Sequence, residues 1–97
     1  MDTFTPNTKS FPLVVRDREK ILFQGDAKAL TSLNDRGEFD VLPEHTNFIS
    51  VIREKITVHK TDGGHEDFTI DHGVVKVYMG QAAVYLGFLP LPENEAS

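Results

Sequence analysis

Short apolar segments alternate with turn residues from Phe11 to Leu86. Each segment is roughly four to eight residues long and rich in β-branched and aromatic side chains, a composition typical of strands. The segments cover residues 11–15, 20–24, 26–33, 38–42, 48–52, 55–60, 65–71, 74–78 and 82–86. No stretch of helical length shows an apolar stripe with a period of about 3.6 residues. The pattern therefore predicts an all-β fold.

Turn residues separate these segments at regular intervals. Asn34-Asp35-Arg36-Gly37 and Thr61-Asp62-Gly63-Gly64 are typical of hairpin turns, because Asn, Asp and Gly tolerate positive φ. Gly25 and Gly73 mark further breaks, and Gly80-Gln81 predicts a tight turn. Short strands with turns about every 8–12 residues indicate a flattened β-sandwich or barrel of about eight or nine strands.

Alternation within the strands predicts which side chains share a face. Four residues of the third segment are expected on one face: Ala27, Ala29, Thr31 and Leu33. Four aromatic residues are predicted to lie in the core: Phe23, Phe39, Phe48 and Phe68. Pro12 lacks an N–H, so the start of the first strand is expected at a sheet edge.

The two ends of the sequence depart from the strand pattern. Residues 1–10 are polar and contain Pro6, so they are predicted to be a disordered lead-in. Pro90 and Pro92 favour an extended tail over residues 88–97, although Pro92 followed by acidic residues also suits a first helical turn. Residues 11–87 are therefore predicted to form the folded domain.

Charge and composition exclude several classes of function. The chain has 97 residues, a net charge of −5 and a pI of about 5.2, and its basic residues are scattered. This balance argues against nucleic acid as the partner. There is no cysteine, and therefore neither a disulfide nor a thiolate metal site. No apolar run approaches the ~20 residues that span a bilayer, so any membrane contact is expected through a partner.

The residues that could carry chemistry do not assemble into a motif. The histidines, His45, His59, His65 and His72, lack zinc-motif spacing. His59 and His65 flank a hairpin turn and are interpreted as a cross-strand pair, since a metal site would need carboxylates such as Glu66 beside them. There is no nucleophile elbow and no phosphate-binding loop. Neither catalysis nor a cofactor is predicted.

An ordered series of segments gives the sequence a family resemblance. Leu13-Val14-Val15 and Ile21 to Gly25 precede the acidic, glycine-containing loop from Asn34 to Glu38. Val41-Leu42-Pro43-Glu44-His45 follows, and is similar to a Leu-Pro-Gly-His pattern. The later segments keep the same order: Ile56-Thr57-Val58, Phe68-Thr69-Ile70, Gly73 to Val77 and Ala83 to Leu86. Residues 11–87 thereby resemble the N-terminal domain of the epsilon subunit of F-type ATP synthase, called delta in mitochondria.

The resemblance implies a β-sandwich of about ten short strands in the rotor of the synthase. It implies a non-catalytic central-stalk subunit that couples the gamma subunit to the ring of c subunits, during ATP synthesis or hydrolysis coupled to protons or sodium ions. The subunit is then peripheral, on the cytoplasmic side of the inner or plasma membrane, and reaches the membrane only through the ring. The residues implied to face the polar loops of the ring are Gly37, Glu38, Pro43, Glu44 and His45.

Several positions depart from the family pattern. Glu44 stands where the family has glycine before histidine, so a positive φ at that position would carry strain. Asp40 replaces a second glycine, and residues 53–55 read Arg-Glu-Lys where the family usually has glycine. No C-terminal helical hairpin is expected in this chain. These differences point to a divergent or alternative F-type ATPase member.

Two other classes of function are compatible with the residues alone. One is a free-standing β-sandwich that binds a protein unrelated to ATP synthase, through an exposed apolar patch that is not on the gamma-facing sheet. The other is a small enzyme or metal protein that uses the histidines.

Overall fold

A computed structural model describes residues 10–44 and 46–87. The predictions for the lead-in, for His45 and for the tail therefore lie outside the described residues, apart from Ser10. The described residues contain six strands: β1 (Phe11–Arg16), β2 (Ile21–Asn34), β3 (Gly37–Val41), β4 (Phe48–Lys60), β5 (His65–Tyr78) and β6 (Gln81–Leu86). No helix in these ranges is long and apolar enough to cross a membrane.

The six strands form a closed, flattened barrel. Their order is β1-β6-β5-β4-β2-β3, and an additional pairing of β1 with β2 closes the sheet. β1 and β6 are parallel, whereas the other pairs are antiparallel. The predicted all-β class and flattened barrel are confirmed. β1 pairs with β6 only from Leu13 onward, so its start at Pro12 has a partner strand on one side only, as expected.

The strand number differs from the predicted value of about ten, because three strands are long. β2, β4 and β5 have 14, 13 and 14 residues, and each runs through a position that the sequence pattern marks as a break. A long strand can pair with one neighbouring strand along its first half and with other strands along its second half. The first half of β2 pairs with β1, and its second half lies between β3 and β4. Bends inside strands thus replace several of the predicted turns.

A register shift in β2 divides the four residues that are predicted to share one face. The pairing with β4 slips between Ala27 and Ala29, so the side chains that follow the slip exchange faces. Leu30 and Ser32 are fully buried, whereas Ala29, Thr31 and Leu33 are half-buried. The prediction that these four residues share one face is therefore wrong, because the slip separates Ala27 from the other three.

A second irregularity lies where β4 and β5 bend together. Arg53 pairs with His72 but Glu54 pairs with Ile70, which leaves one extra residue, Asp71, on β5. Before this bulge Phe68 and Ile70 pack against the core, and after it the odd-numbered residues from Gly73 onward are buried. The bulge therefore changes which residues of β5 face the barrel interior: even-numbered residues before it and odd-numbered residues after it.

Aliphatic side chains fill the barrel interior. Val15, Leu30, Ile52, Ile56, Val58, Val75 and Val84 are completely buried. Each such side chain stabilises the fold by roughly 1.5–3 kcal/mol relative to an exposed position. The predicted aromatic core residues Phe23, Phe39, Phe48 and Phe68 are instead partly buried around this aliphatic centre. Phe39 and Phe48 meet edge to face, with ring centroids 6.0 Å apart.

Candidate partner-binding surfaces

The first predicted corner joins β2 to β3. The Asn34 side chain accepts a hydrogen bond from the Arg36 amide at 2.8 Å, and Gly37 takes a φ of +114°. This is a tight hairpin in which glycine supplies the left-handed residue, as the sequence predicts. Glu38 is exposed beyond the turn, and its carboxylate lies 3.8 Å from the Lys55 ammonium. A carboxylate so weakly held remains available to a partner.

The second predicted corner follows β3. Val41 is buried, Leu42 is half exposed at 51%, and the chain then turns through Pro43 and Glu44. Glu44 has a φ of +68°, a value that a non-glycine residue adopts only with strain, as expected at this position. A glutamate in the left-handed region costs about 1 kcal/mol or more, because its Cβ crowds the following carbonyl. The turn therefore keeps the geometry of a glycine position without the glycine. The neighbouring His45 is outside the described residues.

The two corners lie at opposite ends of β3 and do not form one cluster. The five residues of β3, Gly37–Val41, separate the two corners by roughly 13 Å, at about 3.3 Å per residue of extended strand. β3 pairs with β2 alone among the described strands, so it is the edge of its sheet. Glu38, Asp40 and Leu42 are exposed along it. We call the exposed residues of β3 and its two corners, residues 37–44, the acidic edge.

Polar side chains continue from the acidic edge across the neighbouring strands. Asp40, Thr31, Thr57 and Asp67 form one cross-strand row over β3, β2, β4 and β5. The hydroxyl of Thr31 donates to Asp40 and that of Thr57 donates to Asp67, each at 2.6 Å. These bonds hold both carboxylates in fixed positions on the outer surface.

The histidine pair lies beside this row. His59 is directly opposite His65, as the sequence predicts. Since the Thr31 hydroxyl donates to Asp40, His59 Nε2 donates to Thr31 at 3.0 Å. His65 lies 3.6 Å from Asp67, and Glu66 pairs with Lys60 at 3.7 Å. Among the described residues no group of three or more potential ligands is arranged to hold a metal ion.

A second candidate surface was not predicted from the sequence. It is the outer face of the four consecutive strands β4, β5, β6 and β1, where register brings apolar side chains into rows. The first row is Val51, Val74, Tyr85 and Arg16. The second row is Ile49, Lys76, Ala83 and Val14, and Tyr78 follows it at one end. We call these residues the apolar face.

Exposure on the apolar face is unusually high for aliphatic and aromatic residues. The solvent-exposed fractions are 66% for Ile49, 49% for Val51 and 57% for Tyr78, with Met79 at 70% in the adjoining turn. The turn is fixed because Asn47 accepts a hydrogen bond from the Met79 amide at 2.9 Å. Contiguous exposed apolar residues mark an interaction site more often than an ordinary surface.

A signal for the apolar face was present in the sequence. The segments Leu13 to Val15, Phe48 to Ile52 and Val74 to Val77 are nearly continuous apolar runs, without polar alternation. Continuous runs indicate strands that are covered on both faces. One face of these strands fills the barrel, so the other is expected to meet a partner.

Asp17 follows Arg16 in the turn after β1, outside the rows of the apolar face. Its carboxylate accepts hydrogen bonds from the amides of Glu19 and Lys20, each at 2.8 Å. These bonds hold the pKa of Asp17 below its ordinary value of 3.8. The carboxylate is therefore ionised at neutral pH and is committed to its own turn.

Comparison with protein families decides what this architecture is. The β-sandwich domain of the ATP synthase delta/epsilon chain matches residues 10–86. The chain belongs to this family. The resemblance in the sequence is thereby confirmed, and it extends over all six strands.

Relatives in the delta/epsilon family are moderately similar in sequence. The ATP synthase epsilon chain of Nitratiruptor sp. is 39% identical over 75 residues, which are 75% of this chain and 58% of the relative. That of Bordetella petrii is 36% identical over 67 residues, which are 68% of this chain and 48% of the relative. The chain thus spans about half the length of the curated relatives it matches.

Solved structures of ATP synthases contain the same fold. A chain in the OSCP/F1/c-ring structure of the Euglena gracilis mitochondrial enzyme has a TM-score of 0.75 at 19% identity, covering 89% of this chain and 57% of that one. A chain in the central stalk/c-ring structure from Tetrahymena thermophila has a TM-score of 0.67 at 12% identity, covering 77% and 61%. At such identities the likeness concerns the fold alone.

Proposed function

We propose that this chain is the β-sandwich part of a non-catalytic central-stalk subunit of an F-type ATP synthase, coupling the gamma subunit to the c-ring. The observation that carries the proposal is the family match over residues 10–86, which includes every described strand. The chain then acts at the F1 sector, peripheral to the membrane on its cytoplasmic side, and contacts the membrane only through the ring.

The two surfaces of the barrel suit two different partners. The apolar face offers aliphatic and aromatic side chains that gain free energy when a partner removes them from water. It is the surface we assign to the gamma subunit. The acidic edge offers exposed carboxylates instead, which suits the polar, basic loops of a c-ring.

The barrel itself supports a coupling role. A rotor element must transmit torque without yielding, and a closed sheet has few free edges at which to open. The pairing of β1 with both β2 and β6 closes this one. The interior is filled by aliphatic side chains at close packing, so the two surfaces are joined by a rigid body.

Binding to the gamma subunit of the same organism tests the assignment directly. We expect co-purification of the two proteins and a dissociation constant below about 1 μM, since a stable rotor requires persistent contact. An absence of binding at micromolar concentrations would contradict the central-stalk role.

The ring-facing edge requires a second experiment, in membranes with the assembled synthase. Glu38→Lys combined with His45→Ala is expected to lower ATP-driven ion pumping relative to ATP hydrolysis, because the contact to basic loops reverses sign. Asp26→Lys is the matched control, since Asp26 lies on β2 opposite Pro12 of β1, outside the acidic edge. Unchanged pumping in the double variant would contradict the assignment of the edge to the ring.

A further inference from the structure

The charges on the apolar face are all of one sign. Lys76 lies in the middle of the face, flanked by Ile49 on β4 and Ala83 on β6, and Arg16 lies at its β1 margin. The described residues of its rows include no carboxylate, although the chain as a whole carries a net charge of −5. The acids of the described strands are concentrated on other surfaces, such as the acidic edge.

Lys76 has no anionic partner within the part of the chain that the structure describes. Its ammonium lies 5.8 Å from the ring centroid of Tyr78, a cation–π contact that leaves the charge open to solvent. Shallow depressions lie on both sides of it, one beside Ile49 and one beside Tyr85. A partner that fills these depressions removes water from around the ammonium.

Removing water from an unpaired ammonium is costly. The ion loses its hydration when a partner covers it, and only an opposite charge with good geometry offsets that loss. A symmetric contact with a second copy of this chain does not provide that charge, because it brings cations toward cations, and a contact with the acidic edge of a second copy places that edge's aliphatic-poor surface against the apolar side chains. The occupant must therefore differ from the chain itself.

We infer that the partner surface covering the apolar face is an aliphatic protein surface with an aspartate or glutamate placed opposite Lys76. The inference rests on the proposed function, in which that partner is the gamma subunit. It adds that the partner is recognised by a carboxylate that pairs with Lys76. Lys76 is then the specificity-determining residue of the interface, since an apolar face alone accepts many partners whereas a central cation accepts only a surface that pairs with it.

Three substitutions test this in the complex with the gamma subunit of the same organism. Lys76→Glu sets like charges opposite each other and is expected to weaken binding about a hundredfold. Lys76→Met keeps the length of the side chain but leaves the partner carboxylate unpaired, with an expected loss of about tenfold. Lys28→Glu makes the same charge change on β2, outside the apolar face, and is expected to alter binding less than about threefold.

Salt dependence provides a second readout. Binding of the wild type is expected to weaken more between low and high NaCl than binding of the Lys76→Met variant, because only the former contains the ion pair. Equal or tighter binding by Lys76→Met, or normal binding by Lys76→Glu, overturns the inference while the proposed function stands. A wild-type chain that does not bind the gamma subunit removes the proposed function itself.

Discussion

Two glutamates occupy backbone conformations that favour glycine. Glu44 has a φ of +68° in the corner after β3, and Glu54 has a φ of +75° at the irregular step in β4. Both lie in segments where the sequence resemblance expects glycine, and their φ values are ones that glycine adopts without strain. The left-handed region costs a non-glycine residue about 1–2 kcal/mol. This strain is a local property that the surrounding sheet tolerates.

Glu54→Gly is expected to stabilise the protein. Relief of strain is partly offset by the greater freedom of glycine in the unfolded chain, about 0.4–1 kcal/mol, which leaves a net gain of roughly 0.5–1 kcal/mol in the free energy of unfolding. Urea denaturation measures the change. Glu54→Ala is the control, because it removes the carboxylate but retains the strain. An equal gain in the alanine variant would show that charge, not backbone conformation, is responsible.

At the scale of elements, the sequence predicts the segments well and their continuity poorly. The turn at Asn34 to Gly37 and the turn at Thr61 to Gly64 form where Asn, Asp and Gly indicate them. The breaks expected at Gly25 and Gly73 are instead internal to long strands. A strand continues through such a glycine when the strands that pair with it before the glycine differ from those that pair with it afterwards. This change of pairing partners is set by the closed barrel and not by the local residues.

Register shifts explain the remaining errors at this scale. A bulge adds a residue without a sequence signal of its own, and every later side chain then changes face. The four β2 residues predicted to share a face are split between Ala27 and Ala29 for this reason, and Ser32 lies in the core. Its hydroxyl donates to the Lys55 carbonyl at 2.7 Å, at the step where the β2–β4 ladder is interrupted.

Ser32→Ala is expected to destabilise the fold by about 1–3 kcal/mol, because the Lys55 carbonyl loses its donor in a buried site. Ser50→Ala is the matched control on β4. Ser50 is only half-buried, and its hydroxyl donates to the Val51 carbonyl at 3.1 Å and accepts from the Asn34 side-chain amide at 3.2 Å. Water can replace the hydroxyl in both bonds, so the expected cost is below about 1 kcal/mol. Chemical denaturation of both variants gives the comparison. Similar losses would show that the buried bond does not bridge the interrupted ladder.

At the scale of the whole molecule, the candidate surfaces follow from closure of the barrel. The residues of the acidic edge are individually readable in the sequence, yet their spread over the two ends of β3 is set by the fold. The apolar face is assembled from β4, β5, β6 and β1, whose residues are far apart in the chain. Only their continuous apolar runs signal it in advance, because cross-strand register is needed to bring them together.

Within the single strand β4, one isoleucine is expected to contribute to folding stability and another to partner binding. Ile52 is completely buried, whereas Ile49, three residues earlier on β4, is 66% exposed on the apolar face. Ile52→Ala is expected to lower the free energy of unfolding by about 2–5 kcal/mol, since it leaves a cavity in a close-packed interior. Ile49→Ala is expected to cost less than about 0.5 kcal/mol, because its side chain already meets water.

The effects on the complex are expected to run the other way. If the gamma subunit covers the apolar face, Ile49→Ala weakens its binding by about tenfold through lost apolar burial, while the folded variant keeps its circular dichroism spectrum and its denaturation midpoint. Ile52→Ala, measured well below its melting temperature, is expected to bind within about threefold of the wild type, because Ile52 lies beneath the surface. A variant at Ile49 that binds normally would place the gamma subunit on another face of the barrel.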